Sequence, residues 1–293
     1  MDRGPLDRCI LEAFESLSPQ MKAAARFIVD HPDDVALLTM REQARRAKVL
    51  PATMTRLAQR LGYDGFDAVR ELYVSAIRAG DLGFAGRAGR QIAEQRQKGD
   101  IGLAEDHLAA AAAAIAELRQ PAMLAGLGAA AEALAAAPRV FCLGLRASFP
   151  LAWTATYLLG LIDDRAVLLD DAGALLADRT RAAHAGDAVL AFGFDPYTRA
   201  TVETARRLAE RGVDVIAVTD SPVSPLARLA RHAICVGGGE SPAFFRSSTA
   251  AFAVAEILAA LIAGKRGDAA LAALGDTEAH LAASQVHWVD RES

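Results

Sequence analysis

Along the first eighty residues the apolar positions fall three and four apart. Leu6, Ile10, Leu11, Phe14 and Leu17 mark one helix, and Ser18-Pro19 then restarts the chain with a cap and a first-turn proline. Met21, Ala25, Phe27 and Ile28 mark a second helix, which ends near His31-Pro32 because the residue before a proline is pushed out of the helical region. After a short segment from Val35 to Leu38, Thr39 with Glu42 three residues on reads as a capping box for a third helix. Pro51 suits the first turn of a fourth helix, and Gly62 closes it. Phe66, Val69, Leu72, Tyr73 and Ile77 form the buried side of a fifth. The spacing predicts a helical bundle over residues 1–78.

Beyond Arg139 the period changes. Short apolar runs, "RVFCLGL", "RAVLLD", "DAVLAFGF", "VDVIAVTD" and "HAICVGG", alternate with helical patterns at 147–161, 173–183, 198–211 and 224–231. Strands of this kind read as a parallel sheet covered on both faces. A long helix over 243–264 and further helical material follow. Between bundle and sheet, residues 79–100 space Gly80, Gly83, Gly86 and Gly89 among arginines and read as a linker. Alanine-rich helices on either side of Pro121 then open the second domain, residues 101–293. The fold class is therefore α/β plus all-α: a five-helix bundle, then a five-stranded parallel sheet flanked by helices.

Composition narrows the class. A chain of 293 residues that is 53% hydrophobic supports a real core. No apolar run is long enough to span a bilayer, and the N-terminus carries acids where a signal peptide needs bases, so a cytoplasmic protein is expected. Cys9, Cys142 and Cys235 have no metal-binding spacing and read as free thiols in apolar surroundings. Neither GxGxxG nor GxxxxGK[ST] follows any strand, so no cofactor and no metal is expected.

The net charge of −4 argues against nucleic acid only as an average. Positions 41–60 hold six bases (Arg41, Arg45, Arg46, Lys48, Arg56, Arg60) against one acid, Glu42. They lie on two short helices joined by a tight turn, which is the helix-turn-helix arrangement. On the second of these helices Thr53, Thr55, Arg56, Gln59 and Arg60 are polar, while Met54, Leu57, Ala58 and Leu61 repeat opposite. Arginine suits guanine, glutamine suits adenine, and threonine suits a phosphate or a thymine methyl. Arg45, Lys48, Thr53, Thr55, Arg56, Gln59 and Arg60 are the expected contacts to double-stranded DNA. An ordinary amphipathic surface helix would show the same pattern.

This segment also resembles the N-terminal domain of the RpiR (ribose phosphate isomerase regulator) family of bacterial transcriptional regulators. Ala52-Thr53, Arg56-Leu57, Arg60-Leu61-Gly62 and Gly65-Phe66 carry the likeness, and Leu50-Pro51 departs from the small polar cap usual there. The second half resembles the sugar isomerase (SIS) domain that such regulators carry, through "GLRAS", "DAVLAF", "TVETA" and "GVDVIAVTDSPVSPLARLA" within residues 139–262. The resemblance implies that hydroxyls in the first and third loops hold a sugar phosphate, here Ser148 and Thr198. The third loop departs, with Gly193-Phe194-Asp195-Pro196 in place of Ser-x-Ser-Gly.

At the ends of the first, third and fourth strands, Arg146, Ser148, Asp195, Thr198, Arg199 and Thr219 are the candidate effector-binding residues. A carboxylate about 5 Å from a phosphate costs roughly 3 kcal/mol at an effective dielectric near 20. Three arrangements remain open. Arg146 and Asp195 close on each other and leave an empty domain, or Asp195 receives a hydroxyl or cationic group of a polar effector, or a phosphate binds while Asp195 turns away. The expected function is a DNA-binding, homodimeric or homotetrameric regulator whose SIS domain senses a small metabolite. The alternative is a sugar-phosphate isomerase with a helical dimerisation domain, for which Glu203, Glu240, His184 and His232 are available bases without a catalytic spacing.

Overall fold

A computed structural model describes residues 10, 13–14, 16–31, 34–35, 38–78, 83–236 and 242–288. Cys9, Glu240 and most of the expected first helix lie outside these residues. The chain forms two compact units, Met1–Ala114 with Ser221–Val223 and Gly237–Ser247, and Ile115–Asp220 with Ser224–Val236 and Ser248–Ser293.

The first unit is helical. Helices α1 (Pro19–Asp30), α2 (Met40–Arg46), α3 (Pro51–Arg60), α4 (Phe66–Arg78) and α5 (Gly83–Glu117) follow helical residues at Ile10, Ala13 and Phe14. Ser18 caps α1 by accepting the Met21 N–H at 3.4 Å. Ala24, Ile28, Val35, Ala44, Met54, Leu57 and Val69 are buried together, so the 3.6-residue stripes of the sequence meet in one core. The buried Gln43 is its polar anchor. Its Nε2 donates to the carbonyls of Val35 and Leu38, both at 2.9 Å, and holds the segment before α2 against the helix.

Two local expectations need correction. Thr39 does accept the Glu42 N–H at 3.3 Å, but the Glu42 carboxylate bonds Arg45 and Arg46 in place of returning to the cap, so the box is half made. The glycine-spaced stretch expected to be a linker is helical from Gly83, with non-helical backbone only at Gly99 (φ 72°). Glycine costs about 1 kcal/mol per helical position, and the intervening Ala, Arg, Gln and Glu are strong helix formers.

The second unit is a three-layer α/β arrangement. Its elements are α6 (Pro121–Ala136), β1 (Val140–Leu143), α7 (Phe149–Ile162), β2 (Ala166–Leu169), α8 (Leu176–Thr180), β3 (Ala188–Phe192), α9 (Arg199–Glu210), β4 (Asp214–Thr219), β5 (His232–Cys235), α10 (Thr249–Arg266) and α11 (Asp268–Ala283). All pairings are parallel, in the order β2-β1-β3-β4-β5. Phe141, Leu143, Val189, Ala191, Val215 and Ala217 pack with Ala205 and Leu208 of α9 on one face. Cys142, Leu190, Phe192, Ile216 and Val218 alternate onto the other and are buried as well. The expected helix over 224–231 is instead a run of turns. Ser224 caps the run by accepting the Ala227 N–H at 2.9 Å, but Leu229 and Ala230 then donate to carbonyls only three residues back, and the Arg231 N–H bonds the Val215 carbonyl as the chain enters β5, so the run ends as turns.

The chain passes from β1 out to β2 and returns to β3 on β1's other side. The order reverses between β1 and β3, and a crevice beyond their C-terminal ends is where such sheets take ligands.

Replacing Gln43 by Ala should remove two buried hydrogen bonds and strand two carbonyls, costing about 2–3 kcal/mol. A urea midpoint that falls while the slope holds would show this; an unchanged midpoint would remove Gln43 as an anchor.

Candidate DNA interface and sensor site

Helix α3 buries Met54, Leu57 and Ala58, and exposes Ala52, Arg56, Gln59 and Arg60 one and two turns apart. That is one face of a helix. Thr53 is not on it. At 4% exposure it is turned into the bundle, and Thr55 is half-buried with its hydroxyl 3.6 Å from the Met40 sulfur. Thr53 lies one turn before Leu57 and shares its buried stripe, and Thr55 meets α2 through Met40. Arg56 remains exposed, with its Nε 3.3 Å from the Ala52 carbonyl, and Arg60 reaches the Ser16 hydroxyl at 3.3 Å.

The turn before α3 carries an exposed Lys48 whose φ is 54°. A left-handed lysine costs about 1–2 kcal/mol. Leu50 is the N-cap of α3 and makes no side-chain cap bond, while its side chain is 68% exposed. Pro51 brings no N–H to this helix start and the Thr53 N–H bonds the Leu50 carbonyl at 2.8 Å, so Lys48 is the exposed cation that this turn offers a phosphate.

Electrostatics temper this face. Glu42 takes Arg45 at 2.6 Å and Arg46 at 3.2 Å, and Arg46 also meets Asp34 at 2.8 Å. Hydrogen bonds from Arg45, then Arg46, hold the Glu42 carboxyl down at about 2. A depressed carboxylate keeps its pairs at every pH above its ordinary range and loses them only as pH falls toward 2. Both pairs are solvent-exposed and weak enough to be exchanged for phosphates.

In the second unit, the loops after β1, β3 and β4 lie side by side because Leu143 pairs with Ala191 and Phe192 with Val218. Gly144 is required at the first. A Cβ there would stand 2.5 Å from the Ser148 carbonyl oxygen. Arg146 follows with φ 56° and an exposed side chain, and Ser148 is 8% exposed at the start of α7. At the third loop, Asp195 is exposed and Thr198 caps α9 without a side-chain bond. Arg199 bonds Glu203 at 2.6 Å, one turn along its own helix.

The sequence reading did not combine Tyr197 and Asp220, and the structure does. Asp220 accepts the Asp195 N–H at 3.2 Å and the Tyr197 hydroxyl at 2.8 Å. Thr219 is fully buried, with its hydroxyl 3.0 Å from Ser224 and 3.3 Å from Asp220, so it supports the corner and faces no ligand. An acid directly after a strand, at the edge where ligands bind, was the available signal.

The candidate bases are poorly placed. Arg199, with Arg207 at 3.7 Å, holds Glu203 below the usual carboxylate range and weakens it as a proton acceptor. His184 and His232 precede β3 and open β5, at the N-terminal edge of the sheet, away from the crevice. Burial pushes the Cys142 thiol up to about 12, and burial with the Asp220 charge pushes Cys235 up to about 11, so neither is a nucleophile near neutral pH. Among the described residues no helix is long and apolar enough to cross a membrane.

Comparison with known proteins bears on the fold. Residues 133–261 match the SIS domain model. A relative described as an uncharacterized HTH-type transcriptional regulator of Caldanaerobacter subterraneus subsp. tengcongensis is 26% identical over 258 residues, covering 85% of each chain. The sugar isomerase domain of an RpiR transcription factor from Sphaerobacter thermophilus is 29% identical, with a TM-score of 0.50 over 60% of this chain and 93% of its own. The NanR protein of Vibrio vulnificus, solved in complex with ManNAc-6P, shares the fold across 95% of this chain and 98% of its own, at 21% identity and a TM-score of 0.55.

Replacing Glu42 by Gln should free Arg45 for a phosphate, while Arg46 keeps its pair with Asp34. Non-specific DNA affinity is expected to rise, and the slope of log K against log salt to steepen by about 1. If the slope is unchanged, Arg45 faces away from DNA.

Proposed function

We propose that this chain, an RpiR-like protein built of a helix-turn-helix and a SIS domain, is a transcriptional regulator that binds DNA through α3 and senses a small sugar derivative through the sheet edge. One observation carries the reading. In a chain of net charge −4, the exposed row Arg56, Gln59 and Arg60 stands beside Lys48 and an uncapped helix start. Guanidinium and carboxamide groups on one exposed helix face have the chemistry of base edges. The DNA contacts are Arg45, Lys48, Arg56, Gln59 and Arg60, with Thr53 and Thr55 supporting them from the core side.

In this reading residues 1–78 read DNA, residues 79–100 connect, and residues 101–293 sense. Arg146, Ser148, Asp195, Thr198 and Arg199 border the effector crevice between the ends of β1 and β3. The sugar phosphate bound by NanR supports a carbohydrate-derived effector. In this reading the domain senses and does not catalyse, which is supported by the two histidines lying at the other edge of the sheet and by the ion pair of Glu203. Such a protein acts in the cytoplasm, where its DNA is.

A single helix-turn-helix reads few bases, so the active form is a homo-oligomer whose recognition helices are spaced by about one helical turn of DNA, roughly 34–36 Å, or a multiple. On α7 the exposed Phe149, Trp153 and Tyr157 form a row, the last two stacked at 5.7 Å, and such apolar rows favour a partner. Sedimentation of the full chain should show a dimer or tetramer; a monomer at micromolar concentration would remove this feature. The effector shifts DNA affinity only as far as it prefers one assembled state over another.

Titrating the full-length protein onto the DNA around its own gene, across a salt series, should give a sequence-preferring footprint with a steep salt slope. Binding no tighter than to random DNA would overturn the regulator. In the same assay Arg56→Ala should cost about 1–3 kcal/mol and relax preference at one base pair. A uniform loss across sequences would reassign Arg56 to a phosphate.

A further inference from the structure

The second half of α5 leaves one side bare. Past Gly99 another side is engaged, since Asp106 holds Lys98 at 2.5 Å and His107 stacks on Phe245 with ring centroids 5.8 Å apart. The bare side carries Ile101, Leu108 and Ile115, seven residues apart and 76%, 72% and 42% exposed. Ala109, Ala112 and Ala116 share this side and are exposed too. A helix turned to water ordinarily puts charge on its outer face.

Here the apolar row carries one acid and, at its far end, one base. Glu105 and Arg119 are both exposed, and among the described residues neither side chain has a hydrogen-bond or ion-pair partner. Arg119 lies in the turn that closes the helix, with its N–H bonded to the Ala116 carbonyl at 3.1 Å. Ala112 stands midway, seven residues from each, and that spacing keeps all three on one face.

We propose that this face is a contact between two copies of the chain, laid antiparallel across a two-fold axis at Ala112. It rests on the homo-oligomer of the proposed function and names one of its contacts. Charge sets the direction: antiparallel, Glu105 of each copy meets the partner's Arg119, whereas parallel copies would set like charges against each other. Size agrees with charge. About the same axis Leu108 falls opposite the partner's Ala116, and Ile115 opposite the partner's Ala109, so large side chains enter the gaps left by small ones. A contact across a two-fold axis has to be self-complementary in this way. One helix pair covers less than the roughly 1,200 Å² of a stable interface, so this contact orients copies that a further face also holds.

The test is disulfide formation in the full-length chain under mild oxidation, with the unsubstituted chain as the control for its native cysteines. Ala112→Cys should link two copies about tenfold faster than that control, because residues at the axis come within disulfide reach. Glu105→Cys and Arg119→Cys should not link to themselves, each standing about 21 Å from its own counterpart at 1.5 Å per residue. Co-expressed, the two should link to each other, which decides the matter if Ala112→Cys folds poorly. In the Ala112→Cys chain, adding Glu105→Arg should slow the linkage, and adding Arg119→Glu as well should restore it. Self-linkage of Glu105→Cys would overturn the antiparallel direction. An oligomer whose Ala112→Cys chain links no faster than the control would overturn the face and leave the homo-oligomer standing; a monomer would overturn both. DNA binding is read on the unsubstituted chain, so its failure beside rapid linkage removes the regulator and keeps the contact.

Discussion

A parallel sheet has no face to spare for water, and most of this protein's second unit follows from that constraint. Its crossovers lay helices over both sides, so all five residues of β3 and all four of β1 are buried. Polar chemistry is thereby expelled to the strand ends. The strand order reverses between β1 and β3, and Gly144 lets the loop after β1 close against the Ser148 carbonyl there.

At that edge the chain's own hydrogen bonds tie two loops together, since Asp220 accepts the Asp195 N–H and the Tyr197 hydroxyl. The side chains after β3 and β4 fix how these loops meet, while the buried strands beneath them fix the fold.

The helical unit distributes its charge by a similar logic. Its core needs little more than apolar stripes and one glutamine bonded to two carbonyls. The basic face survives within an acidic chain because the opposing acids are few, and two of them, Glu42 and Asp34, are bound to Arg45 and Arg46. These exposed pairs keep the arginines ordered at little cost and can be traded for phosphates.

Helix and strand placement, the helix-turn-helix and the parallel sheet were legible from residue order, because burial imposes a period of 3.6 or an unbroken apolar run on any sequence that forms these elements. Arg56, Gln59 and Arg60 were legible for the same reason, as the polar side of a period. Thr53 was misassigned by residue type: it lies four and eight residues before Leu57 and Leu61, on the buried stripe, where its polarity hid its place in the period. The turns over 224–231 were missed because the segment is drawn at once into the sheet, the Arg231 N–H bonding the Val215 carbonyl, which no local pattern contains. Tyr197 and Asp220 lie twenty-three positions apart and meet only because β3 and β4 are neighbours. Sequence by itself determined which elements form and which faces they bury, through local periodicity. Tertiary structure alone decided which donors at the sheet edge were already taken, because a hydrogen bond between loops exists only once the strands are paired.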